Sequence, residues 1–125
     1  MSAINLIVFC CLLPWVETVS NQGHPPLILP FHAAKDIEEG QKITLTCSVR
    51  KGSPPLEFSW TKDGRKLQSN PNLSFHNQED FSFLTIKNIQ TADRGNYACQ
   101  VKNKFGIGSH ATELLVNCKF TLVCL

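Results

Sequence analysis

The sequence predicts an all-β domain built as a two-sheet antiparallel sandwich, and three observations support this fold class. The chain of 125 residues contains seven glycines and seven prolines, which favour many tight turns over long helices. Short segments of alternating apolar and polar residues follow one another with turn residues between them. Two of these segments each carry a cysteine on their apolar side. The length suits one domain of about 100 residues and is too short for two.

Composition and charge exclude several classes of protein. Hydrophobic residues make up 42% of the chain and the net charge is +2, so the chain is too apolar and too weakly charged to be disordered. A nucleic-acid-binding protein is usually far more basic, with its lysines and arginines clustered on one face. No apolar run reaches the roughly 18–20 residues that a membrane-spanning helix needs. We therefore expect a folded domain with no nucleic-acid partner and no membrane span in this chain.

The first 20 residues have the character of a secretory signal peptide. Residues 6–16 form an apolar block of 11, and Thr18 and Ser20 are small enough to precede a cleavage site. No Lys or Arg precedes the block, and the alternative is a buried strand or helix of the fold. Cleavage after Ser20 leaves residues 21–24 as a short linker. Export places the chain in an oxidising compartment, where cysteines pair.

Cys47 and Cys99 are predicted to form a disulfide. Cys47 shares the apolar face of its strand with Leu45 and Val49, and Cys99 shares the apolar face of another strand with Tyr97. Two such faces packed about 10 Å apart bring the cysteines within bonding reach. Closing a loop of roughly 53 residues stabilises the fold by about 4 kcal/mol in the chain-entropy model. The alternative is a pair of free thiols in the core.

The alternating segments give the predicted strands and their order. Asp63-Gly64 is typical of a type I′ hairpin turn, and residues 104–108 predict a second hairpin. The prolines of the first segment suit an edge strand. Strands are predicted at residues 25–31, 42–49, 56–62, 65–67, 73–75, 81–86, 97–101 and 110–116.

Together these residues resemble an immunoglobulin domain of the I-set. Beyond the two cysteines, the signature residues are Trp60, Leu84, Asp93, Gly95 and Tyr97. The resemblance covers residues 25–117, which we take as the domain. It implies a disulfide between the two sheets, Trp60 packed against it and a tyrosine corner at Tyr97. In this family the aspartate often faces a basic residue, but residues 73–80 contain no Lys or Arg. We therefore expect Asp93 to cap its own turn.

A narrower resemblance is to domains of the Down syndrome cell adhesion molecules (Dscam) of arthropods. It rests on the proline-rich residues 25–31, on Glu39-Gly40, and on residues 52–56, 58–60 and 62–65. Those relatives are long surface receptors that bind homophilically in neuronal wiring and immunity. The resemblance implies an extracellular protein-binding module for cell adhesion or recognition. The alternatives are a secreted soluble immune-recognition or decoy protein, and an intracellular immunoglobulin module, which removal of residues 1–20 would exclude.

No enzymatic chemistry is predicted, and neither is a cofactor, a metal site or a small-molecule substrate. The four histidines are scattered and have no partners at the spacing of a metal or catalytic site. The glycines Gly106 and Gly108 lack the third glycine and the following helix of a phosphate-binding loop. We expect the histidines to be solvated and the glycines to belong to a hairpin.

Candidate binding residues lie on a strand edge and on one sheet face, because partners contact unpaired backbone groups and open side chains there. They are Leu27, Ile28 and Leu29 of the edge strand, and Glu57, Ser59, Gln100 and Lys102 of the strands that carry Trp60 and Cys99. The expected partner is a protein. Asn72 begins the single Asn-x-Ser/Thr sequence and is a candidate for N-glycosylation.

Residues 118–125 are predicted to be a tail that follows the domain. We expect this tail to belong to a truncated or alternatively spliced product, and the sequence leaves the pairing of Cys118 and Cys124 open. The chain is then either a secreted short form or a fragment of a longer receptor at the plasma membrane.

Overall fold

The computed structural model describes residues 22–118, which form eight strands and one short 3-10 helix. The predicted signal peptide and the tail from residue 119 onward lie outside the described residues. The strands are β1 (Leu27–Ile28), β2 (Ile43–Lys51), β3 (Glu57–Lys62), β4 (Arg65–Lys66), β5 (Leu73–Asn77), β6 (Phe81–Ile86), β7 (Gly95–Asn103) and β8 (Gly106–Leu114). The 3-10 helix spans Thr91–Asp93. No helix in residues 22–118 has the length and apolar character needed to cross a membrane.

The strands form two antiparallel sheets, as the sequence predicts. One sheet has the order β1-β2-β6-β5 and the other has the order β4-β3-β7-β8. A parallel bridge between Glu38 and Asn117 ties the segment before β2 to the chain after β8. The Asp63-Gly64 turn between β3 and β4 has positive φ at both residues, 50° and 82°, which is the type I′ geometry expected from this pair.

The core lies between the sheets around a disulfide. Cys47 of β2 and Cys99 of β7 are bonded at 2.07 Å, and both are fully buried. Trp60 stands opposite Cys99 in the β3–β7 register and is also buried. Its indole N–H donates a hydrogen bond to the hydroxyl of Ser82 at 2.9 Å. The predicted inter-sheet disulfide and the buried tryptophan are therefore confirmed.

The turn before β7 is held by Tyr97 and Asp93. The phenol of Tyr97 donates a hydrogen bond to the backbone carbonyl of Asp93 at 2.6 Å, which closes the predicted tyrosine corner. The carboxylate of Asp93 accepts the backbone N–H of Gln90 at 2.7 Å. Asp93 therefore caps its own turn, as the absence of a basic residue in 73–80 suggested.

The edge strand is shorter than predicted, because only two residues of 25–31 pair as a strand. Pro25, Pro26 and Pro30 have no backbone N–H to donate, so pairing with β2 is confined to Leu27 and Ile28. One further bond runs from the N–H of Leu29 to the carbonyl of Ser48 at 2.9 Å.

The last strand begins four residues earlier than predicted, at Gly106 rather than residue 110. The side-chain oxygen of Asn103 accepts the N–H groups of Phe105 and Gly106 at 2.9 and 3.1 Å. These bonds close a tight turn at Lys104 and Phe105, so that Gly106 already pairs with Asn103. The predicted hairpin at 104–108 is present, with its turn nearer the start of that range.

Candidate protein-binding surfaces

Four of the predicted binding residues meet on the outer face of one sheet. In β3 and β7 alternate residues such as Trp60 and Cys99 point into the core, so that their neighbours point outward. The register pairs Glu57 with Lys102 and Ser59 with Gln100 across the two strands. The outward residues of β3 and β7 therefore form two adjacent cross-strand pairs.

Strand β8 extends this face with two residues that are not among the predicted binding residues. Ile107 stands opposite Lys102, and Ser109 stands opposite Gln100. Ile107 is 57% exposed, which is high for a large apolar side chain. Neither residue is among the predicted binding residues, because the strand was predicted to begin at residue 110 and Ile107 was predicted to lie in the hairpin turn. We define the β3–β7–β8 face as Glu57, Ser59, Gln100, Lys102, Ile107 and Ser109.

Uncharged side chains occupy the centre of this sheet face. Ala98 lies between Thr61 of β3 and Ala111 of β8, one row beyond Ser59, Gln100 and Ser109. Charged residues stand towards the ends of the outer face: Glu57 and Lys102 at one end, and Glu113, opposite Asn96, at the other. Another protein surface can cover an uncharged centre of this kind without burying a charge, while the charged groups stay around it.

The edge strand presents two of its three predicted binding residues. Leu27 and Leu29 are 53% and 43% exposed. Ile28 is buried in the core, so its assignment as a binding residue is wrong. Its side chain points inward because successive residues of a strand face opposite sides, and Ile28 pairs with Val49 on the core side of β2.

Asn72 is half-buried at the start of β5, and its side chain is already engaged. Its amide oxygen accepts the backbone N–H of Asn88 at 3.0 Å, and its amide nitrogen donates to the backbone carbonyl of Asn88 at 3.3 Å. The candidate glycosylation site is thus also a structural contact between the start of β5 and the end of β6.

The ionisable groups form no metal cluster in the described part of the chain, where no three His, Cys, Asp or Glu residues converge. The imidazole of His110 is bonded through Nε2 to the carbonyl of Phe31 at 2.8 Å. Burial raises the pKa of Tyr97 above its usual value, and the carboxylates of Asp93 and Asp63 add to this shift. These interactions serve the fold.

Comparison with known proteins places this sandwich in a family. The immunoglobulin I-set domain matches residues 28–116. The cell adhesion molecule DSCAM of Rattus norvegicus is 32% identical over 92 residues, which cover 74% of this chain and 4% of that protein. Cell adhesion molecule Dscam1 of Drosophila melanogaster is 32% identical over 97 residues, which cover 74% of this chain and 5% of that protein. The chain therefore corresponds to a small fraction of these relatives.

Solved structures with the same fold include domains from two kinds of protein. The Ig7 domain of Dscam1, isoform 5, superposes with a TM-score of 0.71 at 29% identity and covers 74% of this chain and 97% of that one. The titin fragment I67–I69 superposes with a TM-score of 0.71 at 28% identity and covers 76% of this chain and 33% of that one. With its disulfide, its tyrosine corner and this match over most of its length, the chain belongs to the immunoglobulin I-set family.

Proposed function

We propose that this chain is an exported cell-adhesion or recognition module that binds a second copy of itself through the β3–β7–β8 face. The curated relatives named above are cell adhesion molecules, which supports a protein partner. The Cys47–Cys99 disulfide supports export, because such bonds persist in oxidising compartments. A role in neuronal wiring is proposed on the resemblance to Dscam alone.

The observation that carries the self-binding proposal is the uncharged centre of the face. Gln100 lies on β7, between Ser59 of β3 and Ser109 of β8. In a two-fold contact each copy presents the same patch to the other. A two-fold axis through this centre brings Gln100 against Gln100, and the two amides can exchange hydrogen bonds without like charges meeting.

Sedimentation equilibrium of the mature chain, residues 21–125, tests this proposal. We expect the wild-type chain to form a concentration-dependent dimer. Gln100→Glu and Gln100→Lys each place like charges at the axis and should weaken self-association about tenfold or more, because like-charge juxtaposition costs several kcal/mol. An equimolar mixture of the two variants should associate again, because opposite charges then meet.

Matched controls lie on the opposite sheet. Thr46 is an exposed residue of β2, and Thr46→Glu and Thr46→Lys make the same charge changes away from the face. These two variants should dimerise like the wild type. A strictly monomeric wild-type chain contradicts self-binding and favours the alternative, a soluble immune-recognition or decoy protein. A mixture of the Gln100 variants that fails to associate contradicts the two-fold arrangement.

The strand edge at Leu27 and Leu29 is proposed as a second contact surface. Two exposed leucines on one short edge strand are typical of a protein contact rather than of a solvated surface. Leu29→Ser should weaken partner binding without a large loss of stability, since the side chain is 43% exposed. Equal binding by the variant and the wild type contradicts a role for this edge.

Export itself is proposed to follow cleavage after Ser20, with residues 21–24 as a linker, 25–117 as the domain and 118–125 as a tail. N-terminal sequencing of protein collected from the medium of a secreting host should begin at residue 21. A chain retained in the cell with its first 20 residues intact favours an intracellular immunoglobulin module. Attachment to the plasma membrane is proposed only where this chain is part of a longer receptor.

A further inference from the structure

The side chain of Asn72 forms an extra pair of hydrogen bonds between the start of β5 and the end of β6. Its amide oxygen and nitrogen bind the backbone N–H and carbonyl of one residue, Asn88, at 3.0 and 3.3 Å. Next to these two hydrogen bonds, the backbone N–H of Lys87 donates to the carbonyl of Asn72 at 2.9 Å. The side chain therefore continues the strand pairing by one step beyond the last backbone bond.

This two-point contact uses a particular hydrogen of the amide. The Asn72 amide accepts from the backbone N–H of Asn88 and donates to the backbone carbonyl of the same residue. A planar primary amide can do both only if the hydrogen it donates lies on the same side of its C–N bond as its own oxygen. In an N-linked glycan the amide is a secondary amide that prefers the trans form. The sugar carbon then takes the place of that hydrogen, on the same side of the C–N bond as the amide oxygen. A glycan on Asn72 and the two-point contact with Asn88 exclude each other.

We propose that Asn72 carries an N-linked glycan in the exported chain, that the glycan is attached before β5 and β6 pair, and that it opens the Asn72–Asn88 contact. This inference rests on the export proposed above. The sequence Asn72-Leu73-Ser74 has the residues that the modification needs. Ser74 is exposed, and β5 is the outer strand of its sheet, so the sugar has a path to solvent.

The bond-forming step is a group transfer. The nitrogen Nδ2 bonds to the anomeric carbon of an oligosaccharide carried on a lipid diphosphate, and the proton that Nδ2 loses passes to water. The bond between that carbon and the diphosphate oxygen breaks, and the diphosphate leaves with the electron pair. In the folded domain Nδ2 donates to the carbonyl of Asn88. We therefore place the transfer to Nδ2 before folding, while this segment is still extended.

The position of the glycan also affects which surfaces can bind. An outer strand has unpaired backbone groups that invite pairing with another chain, and a glycan at the start of β5 obstructs such pairing. The β3–β7–β8 face belongs to the other sheet and stays uncovered. Glycosylation at Asn72 is therefore compatible with the binding surface proposed above.

The test compares the wild-type chain with Ser74→Ala, both secreted by a glycosylating eukaryotic host. Ser74→Ala removes the attachment signal but keeps the Asn72 amide. Mass spectrometry should find an N-glycan on the Asn72 peptide of the wild-type chain only. The wild-type chain should melt about 4 °C or more below the variant, and its Asn88 backbone amide should exchange hydrogen at least tenfold faster.

The same two proteins made without glycan in a bacterial periplasm isolate the effect of the substitution itself, and their melting temperatures should agree closely. A secreted wild-type chain without glycan at Asn72 overturns the glycan proposal and leaves export intact. A chain that is not secreted defeats the proposed export, and this inference with it. The third outcome is a glycosylated wild-type chain that melts at the same temperature as Ser74→Ala and whose Asn88 backbone amide exchanges hydrogen equally slowly. This result overturns the claim that the glycan and the Asn72–Asn88 contact exclude each other.

Discussion

Tyr97 links the fold to pH at the scale of a single residue. Its phenol is buried, and its O–H donates to the carbonyl of Asp93 at 2.6 Å. Burial, followed by the nearby carboxylates of Asp93 and Asp63, raises the pKa of Tyr97 in the folded state. In the unfolded chain the pKa is about 10. The stability that the neutral phenol contributes is therefore complete below about pH 10 and is lost as the pH rises towards the folded-state pKa.

This shift can be measured directly because Tyr97 is the chain's single tyrosine. In the folded protein phenolate absorbance should appear only well above pH 10, whereas in denaturant it should appear near pH 10. Tyr97→Phe should cost about 1 kcal/mol at neutral pH through the lost hydrogen bond. It should also remove part of the fall in stability at high pH. A folded protein whose phenol titrates near pH 10 contradicts the burial described here.

The sequence predicts the burial of single side chains correctly where that burial does not depend on a particular partner. The cysteines, Trp60 and Tyr97 form a spaced signature whose members all face the core, so the sequence alone predicted their positions. Ser82 was not predicted to be buried as a polar residue, because its place depends on Trp60. The indole N–H needs an acceptor inside the core, and Ser82 supplies it at 2.9 Å.

At the scale of elements, β1 and β8 approach each other closely at Gly108. A Cβ added to Gly108 lies 2.4 Å from the carbonyl oxygen of Pro26. Gly108→Ala should therefore push β1 away and lower the free energy of unfolding by about 1–3 kcal/mol. The adjacent Ser109 points outward, and Ser109→Ala should stay within about 0.5 kcal/mol of the wild type. Denaturant unfolding measures both variants, and equal stabilities contradict the close approach.

The strands could be predicted from the alternation of apolar and polar residues and from the turn residues. The contacts between one strand and its neighbours could not. The local pattern places Gly108 in a hairpin, but no local pattern indicates that Pro26 lies against it. Alternation identified β7 and β3, which placed Glu57, Ser59, Gln100 and Lys102 on one face. Ile107 and Ser109 required the register of β8, which depends on the hydrogen bonds that Asn103 makes to the turn.

For the whole molecule, the disulfide between Cys47 and Cys99 is a covalent link between the two sheets. Cys47 and Cys99 are 52 residues apart, and closing a loop of this length contributes about 4 kcal/mol in the chain-entropy model. This is a large share of the stability of a small domain. The double variant Cys47→Ala, Cys99→Ala should therefore lose about 4 kcal/mol or more. Urea unfolding measures the loss, and an unchanged midpoint contradicts this role.

Every functional proposal made above depends on an immunoglobulin sandwich whose two sheets are joined by the Cys47–Cys99 disulfide. Peptide mapping of the secreted chain without reduction tests it most directly. We expect a single species in which the Cys47 peptide is joined to the Cys99 peptide. Recovery of both residues as alkylated thiols, or joined to other cysteines, would contradict it.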